Sequence, residues 1–262
     1  MKTRLVFLTL AFAMGLSSAA VSQGQAAGGS NSAGKGRAVL VELFTSEGCS
    51  SCPPADEFLR QINGLTTPSG MLIVALSEHV TYWDSGGWKD PYSAPVYTNR
   101  QGSYASRFGL DSVYTPQAVI NGRAQVNGSS RKAVLNAIDS PASDPPLKLH
   151  ILSAEIAGKV LTIKYSVTEE GQGPKADIFA VVAADAAASK VLRGENAGTT
   201  LAHAAVARSL DHIATVQGGS EERTAQLTLS NGFVPSPSTH LVLFAQASGM
   251  GRVLSVATTP LK

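Results

Sequence analysis

Residues 38–56 have the sequence AVLVELFTSEGCSSCPPAD and contain both cysteines of the chain, Cys49 and Cys52. The run before the pair is almost continuously apolar, which is typical of a strand that is buried on both faces. Pro53 and Pro54 follow at once, and prolines are tolerated in the first turn of a helix because the N–H groups they lack would have no partner there. The sequence therefore predicts a strand, a thiol pair and a helix in that order.

This order favours a thiol–disulfide site of the thioredoxin type. A helix N-terminus stabilises a thiolate and lowers its pKa, so we expect Cys49 to be the exposed attacking thiolate and Cys52 the deeper resolving thiol. Glu47 is a nearby negative charge that would oppose thiolate formation. A disulfide between the two cysteines closes a loop too short to restrict the unfolded chain much, so a chemical role is favoured over a structural one.

Residues 37–140 alternate strand-like and helix-like segments and are predicted to form an α/β thioredoxin-like domain. After its second strand come His79 and Trp83, which are candidate auxiliary residues of the thiol site. The favoured interpretation is a structural, hydrogen-bonded histidine and a small local aromatic core. Thr115-Pro116 precedes a third strand, at the place where proteins of this type carry a cis proline. We therefore predict that Pro116 is cis and that the backbone of Thr115 pairs with an incoming peptide.

Residues 148–262 contain several short strand-like segments with little helix, which predicts an all-β, sandwich-like second domain after a proline-rich linker at 141–147. Residues 193–208 interrupt this pattern with glycine and charged side chains. They form either a loop that returns to the thiol site or an ordinary solvated connection, and the second is the favoured interpretation.

The N-terminus has the layout of a secretory signal: residues 1–20 join two basic side chains, an apolar run and small residues. The apolar run is shorter than the roughly 20 residues that span a bilayer, so we expect cleavage and no stable membrane anchor. Residues 21–36 form a flexible leader. Without the signal, 21 − 2 = 19 basic residues face 19 acidic ones. This balance gives no support for nucleic-acid binding and, with the signal, predicts a periplasmic or secreted protein.

Several motifs together resemble the DUF1223 family of secreted bacterial proteins. They are VELFTSEGCSSCPPAD at 41–56, SEHV at 77–80, YWD at 82–84, GWKDP at 87–91, YTPQ at 114–117 and RGEN at 193–196. The resemblance covers nearly all of the mature chain. It implies a thioredoxin-like first part, while the biochemical role of the family is not established. Thr81 stands where the family commonly has Asp, which weakens an acid–base role beside His79.

The leading hypothesis is an exported thiol–disulfide oxidoreductase-like protein that needs no cofactor and exchanges with protein thiols or disulfides in the cell envelope. One alternative is a periplasmic copper-handling protein that binds the metal through Cys49, Cys52 and His79, since soft thiolates suit Cu(I). Another is a non-enzymatic envelope binding module. The CxxC spacing fits the first two equally.

Overall fold

A computed structural model describes Met1 and residues 37–140, 147–169, 171, 173–229 and 238–261. Apart from Met1, the predicted signal peptide and leader lie outside the described residues, as do residues 141–146 of the predicted linker. Residue 147, the last of that linker, begins a strand. No helix in the described part of the chain is long and apolar enough to cross a membrane.

The first half contains four strands, three α-helices and one 3-10 helix. In chain order they are β1 (Ala38–Thr45), α1 (Pro53–Ile62), β2 (Leu72–His79), the 3-10 helix (Thr81–Gly86), α2 (Pro95–Phe108), β3 (Gln117–Ile120), β4 (Ala124–Asn127) and α3 (Arg131–Ile138).

The second half is built of strands. They are β5 (Leu147–Ala157), β6 (Val160–Glu169), β7 (Ala176–Ala184), β8 (Ala187–Lys190), β9 (Thr200–His203), β10 (Val206–Val216), β11 (Ser220–Thr228), β12 (Thr239–Ala247) and β13 (Val253–Pro260).

The predicted fold class, an α/β thioredoxin-like domain followed by a β-sandwich, is wrong. The described chain is mostly β, and one mixed sheet of eight strands takes members from both halves in the order β13-β12-β7-β10-β2-β1-β3-β4. The two halves join where Val206 of β10 pairs in parallel with Ser77 of β2. A smaller sheet, β11-β6-β5, packs on the second half of the large sheet through a shared apolar core.

Strand β1 lies near the centre of the first half because its side chains are buried on both faces. Val39, Val41 and Leu43 pack with α1 and α3 on one face. Leu40 and Phe44 belong to apolar clusters on the opposite face, where α2 lies. Strand β1 runs parallel to β2, with Thr45 opposite His79, so both strands end on the same side of the sheet. The CxxC loop follows β1 at this end.

The segment before β10 reaches the same end of the sheet. Strands β8 and β9 form a two-stranded sheet of their own. We call residues 187–203 the arm. The arm leads directly into β10, and just before that strand the carbonyl of Ala205 accepts the N–H of Ser77 at 2.8 Å. This connection holds the base of the arm beside the end of β2, next to the CxxC loop.

Candidate functional site

The two cysteines form a disulfide at the start of α1. Their Cα atoms are 5.4 Å apart, and Cys52 is the N-cap residue of the helix, with helical backbone angles. The Cys52 carbonyl accepts the N–H groups of Ala55 and Asp56, which begins the first turn. The predicted local order of strand, CxxC loop and helix is thus confirmed for these residues.

Both cysteines are fully buried, with 0% exposure for Cys49 and for Cys52. The residues between them, Ser50 and Ser51, are exposed, so the turn itself faces solvent while the sulfur atoms point inward. The Ser51 hydroxyl contacts Cys49 Sγ at 3.4 Å. The expectation that Cys49 is an exposed thiolate is therefore wrong for this disulfide-bonded form.

The arm covers the CxxC loop through polar contacts. The Asn196 side chain is buried, and its Nδ2 donates to the carbonyl oxygens of Glu47 at 2.8 Å and Cys49 at 3.0 Å. The carboxylate of Glu195 accepts the backbone N–H of Ser50 at 3.1 Å. The favoured interpretation of residues 193–208 as a solvated connection is wrong, because this segment returns to the thiol site.

The carboxylate of Glu47 lies below the loop and is fully buried. It accepts a hydrogen bond from Trp88 Nε1 at 2.8 Å and one from the Ser189 hydroxyl, and its Oε1 lies 3.2 Å from His203 Nε2. Burial alone would raise the Glu47 pKa, but these hydrogen bonds outweigh it and hold the pKa below its usual value. The negative charge of Glu47, which was expected to oppose a thiolate, is thus stabilised by contacts with Trp88, Ser189 and His203.

His203 lies between two carboxylates. Besides Glu47, its ring faces Asp56 of α1, with 3.8 Å between His203 Nδ1 and Asp56 Oδ2. Burial would lower the pKa of His203, but its contacts with Asp56 and Glu47 outweigh this effect and raise the pKa to about 9. An imidazolium between two acids is therefore the state of this cluster at neutral pH.

His79 is buried beside this cluster and not on its surface. Its Nδ1 is 2.7 Å from Asp90 Oδ2, the same oxygen that accepts the Glu47 N–H, and its ring centroid is 4.7 Å from that of His203. The alternative metal site combined His79 with the two cysteines. Within the described residues, no group of three or more His, Cys, Asp or Glu side chains is arranged to hold a metal ion.

Thr115 and Pro116 lie at the start of β3, and the predicted cis bond between them is present. The Thr115 hydroxyl accepts a hydrogen bond from Trp83 Nε1 at 2.8 Å. The carbonyl of Pro116 accepts the N–H of Gly128. The neighbouring Ser129 hydroxyl donates to the carbonyl of Ser51 in the CxxC loop at 3.3 Å, so Pro116 lies close to this loop, and Trp83 lies beside Thr115.

Three members of the site, Asp56, Asn196 and His203, were not assigned to it from the sequence, although the return of residues 193–208 to the thiol site was the less favoured interpretation of that segment. Asp56 carries a local signal, since it stands four residues after Cys52 and side chains four apart share a helix face. Asn196 lies 147 residues after Cys49 in the sequence, and His203 lies 156 residues after Glu47. No local spacing connects them to the cysteines.

Comparisons with known proteins agree with the motif resemblance. A family model described as "Protein of unknown function (DUF1223)" matches residues 40–246. Protein AGR_C_4864 from Agrobacterium tumefaciens, known from a crystal structure, shares 25% sequence identity with this chain. The two structures superpose with a TM-score of 0.66 over 86% of this chain and 95% of that protein. HBP35 of Porphyromonas gingivalis is 14% identical with a TM-score of 0.62, covering 87% of this chain and 76% of its own, and this likeness concerns the fold alone. No curated protein matches the chain.

Proposed function

This chain belongs to the DUF1223 family of proteins of unknown function, and we propose that it is an exported thiol–disulfide exchange protein that reacts through Cys49 and Cys52. Export rests on the signal-like sequence of residues 1–20. One observation carries the proposal: the disulfide sits at the N-terminus of α1 and is covered by hydrogen bonds from the arm.

A purely structural role explains this disulfide poorly. The two cysteines are three residues apart, so the bond removes little freedom from the unfolded chain. The chain also has large apolar cores in both halves to stabilise it. In contrast, the N-terminus of a helix favours a thiolate, because the helix dipole stabilises negative charge there.

The cover over Cys49 consists of contacts that water can replace. Asn196 and Glu195 bond the loop through a side-chain amide and a carboxylate, and Glu195 is itself exposed. Movement of the arm at Glu195 and Asn196 would therefore expose the sulfur, while His203 at the base of the arm keeps its place beside Glu47 and Asp56. We propose that the closed form is the resting form and that exchange takes place when the part of the arm around Glu195 and Asn196 moves away.

The partners that fit this chemistry are thiols and disulfides of proteins in the cell envelope. A partner thiolate forms a bond to Cys49 Sγ while the Cys49–Cys52 bond breaks and its electron pair leaves on Cys52. The exposed serines of the loop and the half-buried Thr115 lie on the side from which a partner chain would approach. Pairing of a peptide with the Thr115 backbone stays a prediction.

The defined probe for this proposal is oxidised glutathione. In Cys52→Ala, Cys49 is left without its resolving partner, so exchange with glutathione disulfide yields a stable mixed disulfide that intact-mass measurement detects. We expect one glutathione adduct on the folded protein, formed faster when Asn196→Ala is added. The matched control is Cys49→Ala, in which Cys52 should stay unmodified.

A different result would contradict the exchange function. If Cys49 of folded Cys52→Ala stays unmodified in both arm backgrounds, while the urea-unfolded chain is modified at once, the thiol is inert in the native state. The protein would then be a non-enzymatic module with a structural disulfide.

A further inference from the structure

A buried ionic cluster lies directly under the disulfide, and the exchange reaction as described does not use it. Its centre is His203 of β9, which faces Glu47 before the CxxC loop and Asp56 behind it. All three side chains are almost completely buried. Glu47 has two further hydrogen-bond donors in Trp88 and Ser189, but Asp56 has none.

Asp56 is the least satisfied member of this cluster. Neither Asp56 carboxylate oxygen has a hydrogen-bond partner, and neither has His203 Nδ1. Unpaired buried polar atoms are rare in folded proteins because leaving them without a partner is costly, so such atoms call for an explanation.

The helix places Asp56 next to one of the cysteines. Cys52 has helical backbone angles, and its carbonyl accepts the N–H of Asp56 at 3.1 Å, so the two residues are one turn apart on the same face of α1. This carboxylate, which makes an ion pair with His203 at 3.8 Å but no hydrogen bond, is therefore the acidic group that the helix geometry brings to Cys52.

Exchange at a buried disulfide leaves a buried thiolate that needs a proton, and this cluster can supply one. When the partner sulfur bonds to Cys49, Cys52 leaves as a thiolate. Cys52 has no contact with bulk water in the closed form, and a buried thiolate beside a carboxylate is disfavoured both by desolvation and by like-charge repulsion. A proton from within the protein removes that charge.

We propose that Asp56 and His203 form the internal proton donor and acceptor for Cys52, an inference that rests on the proposed function. During reduction of the disulfide, a proton passes from His203 to Asp56 and from Asp56 to the Cys52 thiolate. The partner's second thiolate then attacks the partner sulfur of the mixed disulfide, and Cys49 leaves. The partner dithiol is oxidised by two electrons, the cysteine pair is reduced, and His203 regains its proton from solvent.

The surroundings of His203 are suited to holding this proton. The groups that face it are Glu47, Asp56 and the rings of His79 and Tyr92, while Asp90 and Arg208 stand behind those two rings. The two facing carboxylates raise the His203 pKa to about 9, so the proton is present at neutral pH and is lost as the pH rises through that value.

The test is the pH profile of disulfide reduction in the full folded protein, with dithiothreitol as the probe. Rates are corrected for the thiolate fraction of the reagent, and folding is checked by circular dichroism at each pH. For the wild type, we expect the corrected rate to fall as the pH rises through about 9, because the donor loses its proton. This profile needs no variant, so it tests the inference even where a substitution prevents folding.

Two variants test the two members of the proton pair separately. Asp56→Asn and His203→Gln should be slower than wild type by about 100-fold or more at pH 7, the usual contribution of a positioned proton donor, and should lack the fall above pH 9. A merely structural role for His203 predicts the opposite, since loss of its contact with Glu47 loosens the arm and speeds reduction. The matched control is His212→Gln in β10, whose imidazole lies by Asp177 on a different part of the sheet and should leave the profile unchanged.

The outcomes separate the two proposals. If the wild-type disulfide is not reduced in the folded state at any pH, the exchange function itself fails. If it is reduced but its corrected rate shows no fall near pH 9, or if Asp56→Asn and His203→Gln keep the wild-type rate and profile, only the proton pair is refuted.

Discussion

Asn196→Ala is the substitution that bears most directly on how the disulfide is protected. Asn196 is the one arm residue whose side chain bonds two carbonyl groups around the CxxC loop, those of Glu47 and Cys49. Removing the amide leaves both carbonyls without this donor in the closed form. In the open form water solvates them equally in both proteins, so the variant shifts the equilibrium toward the open arm.

The size of the shift follows from these two bonds. A net hydrogen bond contributes about 0.5–1.5 kcal/mol, so two contribute about 1–3 kcal/mol. Since about 1.4 kcal/mol corresponds to a factor of ten, the population of the open arm should rise by about 5- to 150-fold. When the arm opens and closes faster than the reagent reacts, the rate of reduction follows this population.

The assay is the initial rate of disulfide reduction by dithiothreitol at constant pH, quenched with a thiol-alkylating reagent and read by mass. Asn63→Ala is the matched control, because Asn63 also bonds a backbone group through its amide, accepting the N–H of Ala75 at 3.1 Å, and it lies outside the arm. We expect faster reduction for Asn196→Ala alone. An unchanged rate, or an equal rise in Asn63→Ala, would refute the account of the arm as a local cover.

The remaining predictions concern stability. Arg100→Met leaves the buried carboxylate of Glu42 without its cation and should lower the free energy of unfolding by about 3–5 kcal/mol, measured by urea denaturation. Glu47 has a lowered pKa in the folded state, so its carboxylate stabilises the fold above the unfolded value of 4.5, and this stability is lost as the pH falls through the lower folded value. The midpoint temperature of thermal unfolding should therefore fall more steeply for the wild type than for Glu47→Gln as the pH falls below 4.5. Equal changes in the two proteins would contradict this. Gly128→Ala places a Cβ atom 2.7 Å from a leucine Cδ1 of β1 and should cost about 1–3 kcal/mol, whereas Gly102→Ala in α2, where nothing lies within 4 Å, should be neutral or stabilising.

Local features of the first half were predictable from the sequence because they depend on neighbouring residues. The apolar runs of β1 and β2, the prolines at the start of α1 and the placement of Pro116 before β3 each combine a short pattern with a known backbone constraint. The order of these elements followed from the pattern alone, and the structure agrees with it.

The joining of the two halves was not predictable, because the strand that joins them has no clean periodicity. Strand β10 contains Arg208, Asp211 and His212, and its pairing with β7 has register shifts at Ala207/Ser209 and His212/Ala214. Each irregularity breaks the alternation of buried and exposed side chains that identifies a strand. Without β10, the pattern favours two separate domains.

The site was predictable only where its members are close in sequence. Cys49, Cys52 and Glu47 share one motif, but their burial depends on the arm, which begins more than a hundred residues later. A helix N-terminus predicts a favourable place for a thiolate, and it carries no information about a distant segment that covers that place. The motif therefore predicts an exposed Cys49, whereas the structure buries it under the arm.

The reduction potential of the Cys49–Cys52 pair tests the central claim most directly. The folded protein would be equilibrated with dithiothreitol or glutathione buffers, and the oxidised fraction would be read after alkylation. Exchange chemistry predicts a reversible two-electron transition between about −270 and −120 mV, the range of thiol–disulfide exchange proteins. A potential below about −300 mV, typical of structural disulfides, would contradict the account.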